Sequence, residues 1–453
     1  MSSLKERHEL SLLSFARDLA NGKTTSRQLV EDCLAQISSG SEGQHVYIAL
    51  DAEGARKAAD AHDALRAAGY AASPFAGIPI SIKDLFDVRG SQTRAGSVAL
   101  NDAPAAESDA PAVARLRSAG FILIGRTNMT EFAYSGLGLN PHYGTPKSIW
   151  KRETGHVPGG SSSGAAIAVA DRMAHASLGT DTGGSCRIPA AFNYLTGFKP
   201  TMNRVTRKGA IPLSSSLDSI GPIARTVSCC AIIDGIIADQ PRVDAIKNGA
   251  HRVRAGVLRS VVEAGMEPEV DEAYQSALRK LSNAGVELHD FEMPEFDQLS
   301  ALGEHGGLSA AESLAWHQPL LERKGDQYDP RVKSRILRGG EQSAAHYIRT
   351  LERRQRFIEA AANRIRAFDV IVLPTVPILP PALAALAGDD DYTRLNLLVL
   401  RNPSIINLMN GCAISIPITA PDSPPVGLML AMSGGRDAEL LQVATRFEAI
   451  VGV

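Results

Sequence analysis

The sequence predicts an α/β fold, with a mixed β-sheet core covered by helices on both faces. Three observations carry this. Helix-like and strand-like segments alternate along the chain, the pattern of a sheet sandwiched between helices. The strand-like segments, such as "FAGIPISIKDLFDVRG" around Lys83, are apolar and β-branched. Across 453 residues, 44% hydrophobic and 21% charged side chains are enough to bury a large core.

The elements follow in order. In "TTSRQLVEDCLAQI", Thr25 and Gln28 have capping-box spacing, and Leu29, Val30, Cys33, Leu34 and Ile37 share one helical face. "DAEGARKAADAHDALRAAG" is Ala-rich and helical, with Gly69 as its C-cap. The buried strand at Lys83 comes next. "DAPAVARLRSAG" reads as a short helix and "FILIG" as the strand behind it. The alternation continues through "HASLGT", "VRAGVL", "VELHDF" and "FDVIVLP". "EQSAAHYIRTLERRQRFIEAAANRIRAF" reads as one long helix, with "LERRQR" on its solvated face. Two charged stretches, 322–333 and 387–394, are soft spots too short to be linkers. No repeat is visible, and the expectation is a single domain over 1–453 with a helical N-terminal part over 1–70.

Composition excludes several classes. A formal net charge of −2 with scattered basic residues argues against nucleic-acid binding. Five cysteines, an odd number without a CxxC pair, suggest neither a disulfide framework nor a zinc ribbon. The start lacks a signal-peptide core and no run of ~18 apolar residues occurs, so a cytoplasmic protein without a membrane span is expected. Eleven histidines form no HExxH, and neither GxxxxGK[ST] nor a strand-linked GxGxxG is present. No metal and no cofactor is expected.

Nucleophilic catalysis remains. "GSSSG" at 160–164 matches GxSxG with Ser162 central, but a nucleophile elbow needs a strand before it, and "KRETGHVPGG" is polar and turn-like. "GTDTGGSCR" places Ser185 after two glycines, whose freedom lets backbone N–H groups converge. Thr182, Gly183, Gly184 and Ser185 could then form an oxyanion hole. Lys83 is a candidate base because its neighbours are apolar. To act near neutrality its pKa would have to fall from ~10.4 to the neighbourhood of ~7, which burial can cause. The alternative is an edge lysine paired with Asp84 or Asp87.

"GGSSSGAA…LGTDTGGSCRIPAAF…GFKPT" resembles the signature of the amidase signature family of serine hydrolases. "GIPISIKDLFDVRG", "GRTNMTEFAYSG", "RVTRKGAIPLSSSLDSIGPIART", "FDVIVLPT" and "RDAELLQVATRFE" resemble the family's other blocks, in the family's order. The likeness is densest over 75–226, and the separation of Ser161 from Ser185 is the family's usual one. The resemblance implies the amidase signature fold and a Ser–cis-Ser–Lys triad. Carried over, Ser185 is the nucleophile, Ser161 the bridging serine behind a cis peptide bond, and Lys83 the base. Ser162 and Ser163 would support them through hydrogen bonds, and Asp181 and Arg187 would pair to hold the nucleophile loop. Cys186, beside Ser185, is the rival thiol.

On the substrate side the resemblance implies Tyr134, in "NMTEFAYSG", as a contact, and Asn407 as a pocket-side asparagine. "NLMNGCAISIP" departs from the family's block, with Asn410 and Cys412 where Gly and Pro are usual. Arg207 either reaches an anionic or carbonyl group of a substrate or makes a structural salt bridge. The expected reaction is hydrolysis of the C–N bond of a small organic amide through an acyl-enzyme. A carbamate or ester hydrolase on the same machinery and a glutamyl-tRNA amidotransferase A-like chain are the alternatives. The expected partners are a small amide or carbamate, with no nucleic acid and no membrane, in a monomer or homodimer.

Overall fold

The computed structural model describes residues 4–239 and 252–452. Eleven strands are formed by these residues: β1 (Tyr47–Leu50), β2 (Pro79–Lys83), β3 (Ile122–Thr127), β4 (Ala176–Asp181), β5 (Thr196–Lys199), β6 (Ser219–Ala224), β7 (Arg254–Leu258), β8 (Glu287–Phe291), β9 (Val370–Pro374), β10 (Cys412–Pro417) and β11 (Gly427–Met432). They form one sheet in the order β1-β3-β2-β4-β6-β5-β10-β11-β9-β7-β8. The sheet is mixed: β2 runs parallel to β3 and β4, and β7 to β8 and β9. The remaining pairs are antiparallel.

Side chains alternate across a strand, so a sheet buried on both faces feeds two cores. Along β9, Val370 and Val372 join the large core while Ile371 and Leu373 join the other. Along β11, Leu428, Leu430 and Met432 face the first core and Met429 and Ala431 the second. Helices close both layers. The helix Ser26–Ser38 starts at Thr25, whose hydroxyl accepts the Gln28 N–H at 3.0 Å. Leu29, Val30, Cys33 and Leu34 are buried as its periodicity predicts.

Five helices surround the region described below: α1 (Ser163–Ala170), α2 (Arg187–Ala191), α3 (Pro330–Leu337), α4 (Ala344–Ile365) and α5 (Asp389–Leu408), of which α3 and α5 line the cavity. α1 is "SGAAIAVA", small or apolar all round, and every residue in it is buried. α4 is the single long helix expected from the sequence, but its "LERRQR" segment is not wholly solvated. Arg354 is buried and donates to the Asn407 and Leu408 carbonyls at 3.1 and 3.2 Å. It satisfies the last carbonyls of α5, which have no partners within their own helix. Of the two soft spots, 387–394 starts α5 and 322–333 joins the helix Gly307–Lys324 to α3 through a short turn.

Candidate active site

β2 and β4 lie side by side in parallel, with Ser81 opposite Ser177 and Ile82 opposite Leu178. That register brings Lys83, the last residue of β2, within reach of Thr180 near the end of β4. Lys83 Nζ donates to Thr180 Oγ1 at 2.9 Å and to Ser161 Oγ at 2.7 Å. Lys83 and Ser161 are both fully buried. Neither Asp84 nor Asp87 pairs with the lysine. Asp84 binds Arg126 at 2.8 Å and Asp87 accepts from Thr93, so the structural ion-pair alternative does not occur. Burial penalises the ammonium and lowers Lys83 to about 8.

Ser161 is fixed from both sides. Its carbonyl accepts the Thr130 N–H at 3.0 Å, and the Gly160 N–H donates to the Gly136 carbonyl at 2.8 Å. The Gly160–Ser161 peptide is cis. A Cβ at position 160 would lie 2.6 Å from the Gly138 nitrogen, so the approach of these loops requires glycine. Ser162 donates weakly to the Thr180 carbonyl at 3.4 Å. Ser163 Oγ has no hydrogen-bond partner among the described residues.

The loop between β4 and α2 carries Ser185, and Asp181 organises it. Asp181 accepts from the Gly184 N–H at 2.9 Å, the Cys186 N–H at 3.1 Å and the Arg187 guanidinium at 2.8 and 3.0 Å. Burial alone would raise this carboxyl, but the Arg187 charge outweighs it and holds Asp181 well below the usual carboxylate range. Two residues depart from the expectation here. The Gly184 N–H is committed to Asp181, so it is not free to act as the oxyanion donor expected of it. Asn407 is no pocket residue: α5 carries it inward, where it accepts from Arg187 at 2.6 Å and donates to the Asp181 carboxylate at 3.0 Å. Among the described residues, the N–H groups of Gly183 and Ser185 have no acceptor. Cys186 is fully buried and burial pushes its thiol up, which leaves it protonated at neutral pH.

Ser185 opens into a cavity of about 900 Å³, whose walls include Tyr134, Thr182, Gly183 and Tyr392. Arg207 does not reach this cavity. It donates to the Ser215 and Asp218 carbonyls and lines a smaller cavity of about 240 Å³ that shares Thr182 with the larger one. The salt bridge expected of it is not formed among the described residues.

Two neighbours were missed from sequence. Thr180 is the second partner of Lys83, and only the β2–β4 register reveals it. Asp218 sits just before β6, whose Ser219 pairs with Asp181, and so comes beside Thr182. The Thr182 hydroxyl donates to Asp218 at 2.5 Å, as do the Leu213 and Ser214 N–H groups at 3.0 and 3.1 Å. Burial raises Asp218 to about 6. The signal was present in "SSSLDSIGP", an acid inside one of the family-like blocks, but nothing in the sequence linked it to the Ser185 loop.

The family model described as Amidase matches residues 28–441. The chain is 34% identical over 449 residues to 2-amino-5-chloromuconic acid deaminase of Comamonas testosteroni, covering 98% of this chain and 96% of that one. It is also 34% identical to the A chain of glutamyl-tRNA(Gln) amidotransferase from Roseiflexus sp. strain RS-1, with the same coverage. A solved amidase superposes with a TM-score of 0.88 at 31% identity, covering 98% of this chain and 100% of its own. With the family model matched over 28–441 and the sequence and fold matched along nearly the whole chain, the protein belongs to the amidase family of C–N hydrolases.

Proposed function

We propose that the protein hydrolyses the C–N bond of a small organic amide through an acyl-enzyme on Ser185, with Ser161 and Lys83 as proton relay and base. The observation that carries this is the buried 2.7 Å contact of Lys83 with Ser161, the lysine forming no ion pair with a carboxylate among the described residues. With Lys83 at about 8, roughly a tenth of the molecules hold a neutral amine at pH 7. Neutral Lys83 takes the Ser161 proton as Ser161 takes that of Ser185, and the Ser185 oxygen attacks the carbonyl. The Gly183 and Ser185 N–H groups, with Thr182 beside them, receive the developing oxyanion. The proton returns through Ser161 to the leaving nitrogen. Water then enters by the same relay and releases the carboxylate.

The test is a panel of matched p-nitroanilide amides, carbamates and esters, with Ser185→Ala as control. Amide cleavage lost in Ser185→Ala is expected. Cleavage that survives the substitution would overturn the nucleophile assignment, and a preference for carbamates would move the substrate class. The likeness to the A chains of glutamyl-tRNA(Gln) amidotransferases supports a second reading, in which the same site liberates ammonia within an assembly. Inertness of the isolated chain, together with copurifying partner proteins, would favour it.

A further inference from the structure

α3 and the turn after it place Arg331, Arg335 and Arg338 at positions i, i+4 and i+7, so the three share one helical face. All three line the cavity that Ser185 opens into. The charge on this wall is not neutralised. Asp389 is the one acidic residue lining the cavity among the described residues, and it pairs with Arg331 at 2.8 Å. A fourth arginine, Arg401, spends its donors on the Val262 and Ala264 carbonyls and on Asn402. Arg335 donates to the Tyr134 carbonyl at 2.5 Å and lies 4.9 Å from the centre of the Tyr392 ring. Neither Arg335 nor Arg338 has a carboxylate partner among the described residues. The rest of the wall is largely apolar, with Leu213, Leu217, Leu302 and Leu400.

We propose that Arg335 and Arg338 form an anion subsite, and that the amide cleaved at Ser185 carries a carboxylate on an apolar carbon frame. The substrate part of this rests on the reading of Ser185 as nucleophile; the subsite itself does not. Guanidinium groups bind carboxylates through two parallel N–H···O bonds, and the surrounding leucines lower the local dielectric and strengthen them. The tyrosine ring and the carbonyl of Tyr134 hold Arg335 in place, so little of its freedom is lost on binding. A carboxylate in place of a neutral amide at this end should gain roughly ten- to a hundredfold in affinity.

The experiment separates binding from turnover. Glutarate and adipate, and their diamides, are titrated calorimetrically into the full-length Ser185→Ala protein and into the same protein carrying Arg338→Gln. Exposed Arg356→Gln is the surface control, and melting curves confirm that each variant is folded. The expected result is a dicarboxylate at least tenfold tighter than its diamide, with that preference lost in Arg338→Gln and kept in Arg356→Gln. Equal binding of acid and diamide, or an equal loss of both in Arg338→Gln, would overturn the subsite. In the wild-type protein, adipamate is then compared with hexanamide. Faster, Ser185-dependent cleavage of adipamate supports the whole proposal. Acid-selective binding with turnover indifferent to Ser185→Ala would leave the subsite standing and sink the nucleophile reading.

Discussion

Lys83 and Ser161 stand 78 residues apart in the chain and 2.7 Å apart in the fold, both out of contact with water. One ends a central strand and the other lies in the loop that enters a wholly buried helix. Sheet pairing and helix docking are needed to bring them together, and their burial is what moves the lysine towards neutrality.

The pH dependence of turnover should report this lysine. As the proposed base, Lys83 acts when deprotonated, so kcat/KM is expected to rise with pH and level off above about 8. Lys83→Ala should lower kcat/KM by roughly 10²–10⁴-fold and remove that inflection. A pH–rate profile of the folded variant that still turns at the same pH would show that another group is titrating.

Asp218 should set a second limb. Raised to about 6 by burial, it loses its charge below that pH and weakens its hold on Thr182 and the 213–214 backbone. Asp218→Asn keeps one of the two acceptor oxygens and removes the titration. The expected profile of this variant lacks the inflection near 6. Its alkaline inflection also moves to lower pH, because the Asp218 charge supports protonated Lys83. An unchanged acidic limb would dissociate Asp218 from turnover.

The Asp181–Arg187–Asn407 cluster should register as stability. Asp181 and Arg187 have no exposed side-chain surface, so Arg187→Leu leaves a buried carboxylate without its cation, at a cost of about 3–5 kcal/mol. Asn407→Ala removes bonds to both partners and should cost about 1–3 kcal/mol. Urea unfolding measures both. Asn407→Ala should change stability far more than KM; a large rise in KM with unchanged stability would return Asn407 to the pocket.

Gly184→Ala tests the shape of the Ser185 loop. Gly184 has φ of 122°, and an added Cβ would lie 2.6 Å from Pro403 Cβ and 2.7 Å from Ile188 Cδ1. The loop must shift, and displacing aligned backbone donors typically costs ~10²–10³-fold in rate. A folded Gly184→Ala protein with near wild-type kcat would show that the loop tolerates the strain.

Periodicity and turn chemistry carried much of the fold. The Thr25 cap, the strand at Lys83 and the long α4 could all be read locally, because each is set by residues within a few positions of one another. β1, β5, β6, β10 and β11 were not singled out; they pair antiparallel, and "CAISIP" or "GLMLAM" is a short apolar run that periodicity alone does not assign. Arg354 was misread for a related reason: a basic helix face looks solvated until another helix end, here that of α5, needs its donors.

By itself the sequence determined the alternating α/β pattern, the two glycine–serine loops and the lysine amid apolar neighbours. These depend on local propensity and on residue type. The tertiary structure alone decided that Thr180, not Asp84 or Asp87, shares Lys83 with Ser161, that Gly184 and Asn407 serve Asp181, and that Arg207 lines the smaller cavity while four other arginines line the larger one. Each of these depends on strand register or helix packing between segments far apart in the chain. A hydrogen bond or charge acts over a few ångströms in space, and distance along the chain does not reveal which groups the fold brings that close.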